Sequence, residues 1–475
     1  MKQPIRTLVS VAVVGILATS TVHAGAFSLY TEDSAASIGN YAAGIAAEAA
    51  DASTGWYNPA GLALIRNKQA VFGGVGIFPV AKLTGTSTFS LSVLEPYTQS
   101  FSGLNGATYA FVPSSHFALP VGENLTFGLS VISPFGLSTD WAEDSPVRYQ
   151  GTFTELLTTN VSPQFGAKVS ENFAIGAGLD FQYARVKFNT MLGVPALFTA
   201  PGLNPSAVDT LSYNNGNSIG VGFHAGVMGM FNDKHTRVGI NYQSKMRHDF
   251  HGQSRLVGKL ASPGLNLGDP ASVNAANPDA VFKNNQLFSN PIQLPDVVTI
   301  SGYHDVNEAF AVLGSFVWTG WNSFSTIQLN NVAAPSINTN NLSVSQVMVN
   351  SETTQAYTDA WRIALGANYH VNQKLMLRVG GGYDVTPTND EHRDVRLPDG
   401  TRWALSVGAH YQMRPTIGFD LGYTHLFVPD ESVLQRTENI GAAQYRVNAL
   451  ASASVDLVGA QVVWTLDKMP EIPSK

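Results

Sequence analysis

Arg402-Trp403-Ala404-Leu405-Ser406-Val407-Gly408-Ala409-His410-Tyr411-Gln412-Met413 puts Trp403, Leu405, Val407, Ala409, Tyr411 and Met413 on one face. Arg402, Ala404, Ser406, Gly408, His410 and Gln412 fall on the other. A period of two is that of a strand whose successive side chains point to opposite sides. Aromatic residues stand at both ends of the apolar face with small aliphatics between them. The polar face carries Arg and small residues, which suits a wet lumen better than a packed core. That is the pattern of a lipid-facing band between two interfacial girdles. Residues 361–371 repeat it, with Trp361, Ile363, Leu365, Ala367, Tyr369 and Val371 opposed to Arg362, Ala364, Gly366, Asn368 and His370. Residues 417–424 do so again, with Ile417, Phe419, Leu421 and Tyr423 opposed to Gly418, Asp420, Gly422 and Thr424.

Working outward, segments of this kind occur near 69–84, 107–122, 125–141, 148–170, 173–190, 217–231, 236–252, 294–307, 309–328, 358–371, 375–387, 401–413, 417–430 and 452–466. They number fourteen, an even count, as antiparallel closure of a bacterial outer-membrane barrel requires. Short polar turns such as 121–124, 170–172 and 371–374 alternate with long connections at 190–216, 253–293 and 329–357. Short turns toward the periplasm and long loops outside are the outer-membrane asymmetry.

Composition points the same way. The chain has 475 residues, 44% hydrophobic but only 13% charged, against about 25% charged in ordinary soluble chains. Its mean hydropathy is only +0.03, and beyond the first two dozen positions no run approaches the ~20 apolar residues of a transmembrane helix. Lys2 and Arg6 before the apolar stretch Leu8 to Ala18, with Val22-His23-Ala24 as cleavage site, predict a signal peptide over 1–24. Losing those two cations takes the formal charge from −7 to −9, so nucleic acid is not an expected partner. The absence of cysteine excludes disulfides and Cys-ligated metal.

Residues 25–68 do not alternate. They are rich in Ala, Gly and Ser, and Gly55-Trp56-Tyr57-Asn58-Pro59-Ala60-Gly61 is a turn-forming cluster. The same composition suits a plug of the lumen or an arm in the periplasm. Residues 69–466 are then the barrel and 467–475 a polar periplasmic tail. That tail is a departure, since such barrels usually finish on an aromatic residue, and here Trp464 and Leu466 lie inside the end.

Gly25-Ala26-Phe27-Ser28-Leu29, the Ala/Gly-rich segment and Asn58-Pro59-Ala60-Gly61 together resemble the FadL-type outer-membrane transporters of long-chain fatty acids and hydrophobic compounds. Ser133-Pro134-Phe135-Gly136-Leu137, Tyr183-Ala184-Arg185, Tyr242-Gln243-Ser244 and Tyr383-Asp384-Val385-Thr386-Pro387 carry the resemblance along the mature chain. It implies an all-β membrane protein, a 14-stranded antiparallel barrel with an N-terminal helical hatch over 25–68 that holds Asn58, Pro59 and Ala60. It further implies uptake of long-chain fatty acids, by binding near the mature N-terminus and lateral exit at an inward kink in the third strand. Phe27 and Leu29 then belong to the ligand pocket.

The residues add their own support. Pro134 cannot donate to the ladder and Gly136 weakens it, so pairing should break at Ser133, Pro134, Phe135 and Gly136. Met191, Leu192, Leu197 and Phe198 lie in an apolar loop free of charge, readable as ligand contacts or as a lid packed on protein. No Lys or Arg occurs in 188–233 or 330–361, where the resemblance would place cations for a carboxylate. The expectation is therefore a head group not held by a buried cation, with Arg185 and Arg362 as the reserve candidates. Aromatic hydrocarbons are the alternative cargo; a non-specific porin and an outer-membrane lipase are the rivals. The glycine clusters do not open helices, and His248 with His251 does not make a metal site. The reading is thus of a non-enzyme without cofactor or metal. Its expected partners are a hydrophobic small molecule, outer-membrane lipid and lipopolysaccharide, and the barrel assembly machinery.

Overall fold

The structure, a computed structural model, describes residues 27–91, 94–429, 431–440 and 443–467. The leader 1–24 and the tail after Asp467 lie outside the described residues. Fourteen antiparallel strands form the wall. They are β1 (Gln69–Leu91), β2 (Ala110–Pro120), β3 (Leu125–Ile132, resumed as Gly136–Asp140), β4 (Phe153–Ser170), β5 (Phe173–Leu192) and β6 (Thr210–Phe231). Next come β7 (Thr236–Gln243, Met246–His248 and His251–Val257) and β8 (Val281–Ser289, Ile292–Leu294 and Val297–Asp305). The circuit continues through β9 (Phe310–Thr319), β10 (Ala360–His370), β11 (Leu375–Asp384), β12 (Arg402–Arg414), β13 (Ile417–Phe427) and β14 (Ala443–Thr465). It closes because β1 pairs with β2 on one side and with β14 on the other. The hairpin Thr326–Ile337 with Val344–Thr354 rises from the side of the long loops.

Burial is inside out. In β12, Trp403, Leu405 and Val407 are 56%, 57% and 51% exposed, while Arg402, Ala404 and Ser406 are buried. Register lines the aromatics up into a girdle: Trp318 stands opposite Trp361, Tyr383 opposite Trp403, and Trp403 opposite Phe427. Tyr411 of the lower girdle is eight residues further along β12, about 27 Å at ~3.4 Å per residue. Tilted by ~40°, that spans about 21 Å, close to the ~25 Å apolar band of such barrels.

Residues 27–65, nearly all buried, run along the inner wall before β1, and 66–68 emerge at its rim. Their short helical turns are Ser37–Asn40, Ile45–Glu48, Thr54–Tyr57 and Pro59–Leu64. Glycines on the inner wall make room for them: a Cβ at Gly380 would collide with the Asn40 carbonyl, and one at Gly166 or Gly176 with Pro59. Asn58 fastens the segment. Its Oδ1 accepts from Ala60 N at 3.1 Å, and its Nδ2 donates to Ala46 O at 2.7 Å and to Val227 O of β6 at 3.0 Å. Of the luminal arginines, Arg362 serves the same contact, while the other two pair with carboxylates outside the segment. Arg362 donates to the Tyr41 carbonyl and stacks on its ring, Arg378 pairs with Asp420, and Arg402 pairs with Asp399 at 2.7 Å.

Two places break the wall. Between Ile132 and Gly136, β3 carries three residues where β4 carries two, and the Thr158 hydroxyl replaces the ladder by bonding Phe135 N and O. On its other edge, β3 leaves β2 after Val131–Ser115, and its resumed part meets the chain ahead of β2 only at the isolated bridge Ala107–Thr139. The second break is a joint inward step of β7 and β8. Met246–His248 pairs with Ile292–Leu294 as a separate small sheet, while β6 loses β7 between His224–Gln243 and Asn217–His251.

Candidate functional site

Between the inward step and the strand just after the β3 break lies a hollow of about 600 Å³, partly open to solvent. Leu137 of β3, Leu156 of β4, Val186 and Phe188 of β5, Phe250, and Ile292 and Leu294 of the stepped pair line it. Phe27 closes one side. Its ring lies edge-on to Trp321 at 4.6 Å and to Phe324 at 5.1 Å, with Phe135 at 6.2 Å. Burying apolar surface is worth about 25 cal/mol per Å², so such a wall holds an alkyl chain or an aromatic ring and offers nothing to a hydrated ion. The polar end consists of Gln355, Tyr357, Asp394 and Arg396.

The N-terminal segment joins this cavity to the β3 break. Leu29 N donates to Pro134 O at 2.9 Å, and Gly136 N donates to Phe27 O at 2.9 Å. Residues 27–29 therefore act as a short extra strand that repairs the broken ladder from inside. Ser133, Pro134, Phe135 and Gly136 are all buried, so the break is covered in this conformation.

Of the candidate ligand contacts, only Phe27 borders the cavity. Leu29 is fully buried in a cluster with Ile38, Tyr41 and Ile77. Met191 packs with Trp141 and Tyr149, and Leu192, Leu197 and Phe198 pack around Val208, Leu256 and Leu265, so that loop sits on protein. Arg185 bonds Glu155 at 2.7 Å, with its side chain 36% exposed, and does not border the cavity. Asn58, Pro59 and Ala60 are the contact of the inner segment with β4, β5 and β6. The two cation-free ranges do not empty the cavity of cations, because Arg396 borders it. Arg396 comes from the stretch between β11 and β12, outside those ranges, and it is held by Asp394 at 2.8 Å and Glu438 at 3.8 Å.

Residues 15–465 match the family model described as outer membrane protein transport protein (OMPP1/FadL/TodX). A long-chain fatty acid transport protein of Salmonella typhi is 28% identical over 421 residues, covering 87% of this chain and 89% of that one. A crystal structure of a Pseudomonas aeruginosa FadL homologue superposes with a TM-score of 0.76 at 22% identity, over 94% of this chain and 100% of that one. The Pseudomonas putida toluene transporter TodX superposes with a TM-score of 0.59 at 15% identity, over 94% and 100%.

Proposed function

The chain belongs to the outer membrane protein transport (OMPP1/FadL/TodX) family, and from that premise we propose that it takes up long-chain fatty acids or similar hydrophobic molecules across the outer membrane. Such solutes gain about 0.8 kcal/mol per buried methylene, so they need an apolar holding site and a way out into lipid, not a wet pore. The observation that carries this reading is Phe27. Its ring borders the apolar cavity while its carbonyl holds Gly136 across the β3 break. A ligand that displaces the ring pulls on the two hydrogen bonds covering the break, and the route then opens sideways between β2 and β3. In this reading residues 25–68 are a hatch that denies the lumen to ions. Monoaromatic hydrocarbons fit the same wall.

The head group is best accommodated at the Arg396 end. Arg396 is already neutralised by Asp394 and Glu438, so a carboxylate gains less there than beside a free cation. On the outer wall Arg255 of β7 and Lys283 of β8 stand directly opposite each other. Like charges so placed repel, and an anion between them removes the cost. With Arg185 and Lys187 of β5, one strand beyond β6 and sharing Glu155, they suit the phosphates of lipopolysaccharide. The same proposal includes insertion by the barrel assembly machinery.

The test replaces Ser133 to Gly136 with Val-Thr-Val-Thr and follows radiolabelled oleate and toluene in a transporter-null strain. Uptake of both should fall steeply while heat-modifiable mobility of the barrel stays normal. A folded variant that transports at the wild-type rate ends the lateral exit.

A further inference from the structure

A second cavity, of about 450 Å³, adjoins the break, and its wall is of another kind. Tyr30, Asp33 and Trp56 of the inner segment, Pro134 of the break, and Gln182 and Gln243 of the strands border it. Most of these polar groups are satisfied by protein. Tyr30 shares a hydrogen bond with Thr299 at 2.8 Å, Gln182 with His248 at 2.9 Å, and Gln243 donates to Trp56 O at 3.2 Å. Asp180, also on the wall, bonds His224 at 2.9 Å.

Asp33 is the exception. It is fully buried, and neither carboxyl oxygen has a hydrogen-bond partner. The Trp56 indole N–H and the Ser133 backbone N–H face it without completing a bond, and Trp56 Nε1 is itself unpartnered. Burial and the neighbouring Glu32 carboxyl push Asp33 well above the usual carboxylate range, which favours its neutral form. Its backbone is tied to the cover of the break: Asp33 N donates to Leu29 O at 3.2 Å, and Leu29 N donates to Pro134 O. A buried polar group left open beside a cavity marks the place of a missing hydrogen-bonding partner.

We infer that Asp33 is a hydrogen-bonding station for the ligand's polar head at the inner side of the β2–β3 break, favouring heads that both donate and accept. A carboxylic acid or an alcohol qualifies. An ester has no donor and a hydrocarbon has neither group. A neutral Asp33 exchanges two hydrogen bonds with a neutral acid. An ionised head enters a space bordered by Asp33 and Asp180 and by no Lys or Arg, where its charge has no partner. The head that sat at the Arg396 end thus follows its tail toward the lipid in uncharged form, with Asp33 as its last polar contact.

This inference rests on the lateral exit proposed above, and the two fail separately. The experiment measures uptake of oleic acid, oleyl alcohol, methyl oleate and hexadecane by the full-length wild type, Asp33→Leu and Asp33→Asn. Asp33→Leu should lower the acid and the alcohol about tenfold relative to hexadecane, the loss expected for one good hydrogen bond. Methyl oleate, which can only accept from a neutral Asp33, should lose less against hexadecane than the acid and the alcohol do. Asp33→Asn, neutral with a donor and an acceptor, should hold all ratios within about twofold of wild type. Because the readout is a ratio within one variant, reduced expression does not disguise it. An unchanged acid to hexadecane ratio in Asp33→Leu overturns the inference, as does Asp33→Asn falling with Asp33→Leu. The exit itself fails on a different result, when the Val-Thr-Val-Thr replacement leaves every probe unaffected in a chain with Asp33 intact.

Discussion

The two halves of this barrel are built from the same kind of strand and do different work. From β9 to β14 most ladders run unbroken, as Arg362–Asp384 to His370–Met376 do between β10 and β11 and Leu375–Tyr411 to Asp384–Arg402 between β11 and β12. Their luminal glycines make room for the inner segment, Arg362 binds it, and Arg378 and Arg402 pair with carboxylates of the wall and of the stretch before β12. From β3 to β8 the ladder fails twice, and both cavities lie against those failures. A closed sheet satisfies every backbone group and leaves no passage. A passage through the wall therefore has to be bought with lost ladder bonds, and here Thr158, Phe27 and Leu29 supply replacements that can be withdrawn.

The largest expected effect tests whether the quiet half matters only as a seat for the inner segment. Deleting residues 27–60 should turn a barrel closed to ions into a conducting pore in planar bilayers. If the intact protein conducts as freely as the deletion, the hatch is wrong and an open porin is right.

A pair of replacements then breaks the comparison directly. Val-Thr-Val-Thr at Ser133 to Gly136 should abolish most uptake, whereas the same four residues at Ala404 to Val407 of β12 should leave it nearly intact. Equal losses from the two would mean that strand regularity, not the break, limits transport. A smaller effect is expected from Gly380→Ala in the quiet half. The new methyl meets the Asn40 backbone, and overpacking of this kind costs about 1–3 kcal/mol. The temperature at which the barrel loses its heat-modifiable mobility should drop by a few degrees, with uptake retained. The smallest concerns the head group. Arg396→Gln should weaken oleate by less than about tenfold relative to oleyl alcohol in competition on purified protein, because two carboxylates already neutralise the guanidinium. A larger loss would show that Arg396 meets the ligand as a free cation.

The quiet half was legible because its alternation is uninterrupted: Trp403 to Tyr411 reads as a lipid-facing row, and the register bears that out. The break in β3 was legible too, since Pro134 and Gly136 announce it in local chemistry. The inward step of β7 and β8 was not. Met246, His248 and Phe250 keep a period of two, and alternation records which side a residue faces, not whether the strand has left the wall. The cavity wall was hidden for the same reason: Phe250, Ile292, Phe324 and Arg396 are apart in sequence and meet only through that step. The loop with Met191 and Phe198 was open between ligand contacts and a lid on protein, and its packing is that of the lid. An uncharged apolar stretch signals burial, and here the loop packs on protein away from the cavity.

The seam between β1 and β14 sets the order in which the chain can fold. It pairs Gln69 with Thr465 through to Leu91 with Ala443, joining segments more than 350 residues apart. Loop-closure entropy and contact order both make that the slowest pairing to find. Until β14 has been delivered, β1 presents an edge of 23 residues with no partner, the kind of template on which unrelated chains stack. The sheet must therefore be held open and shielded through nearly its whole assembly, and the last strand to arrive is the one that ends its hazard.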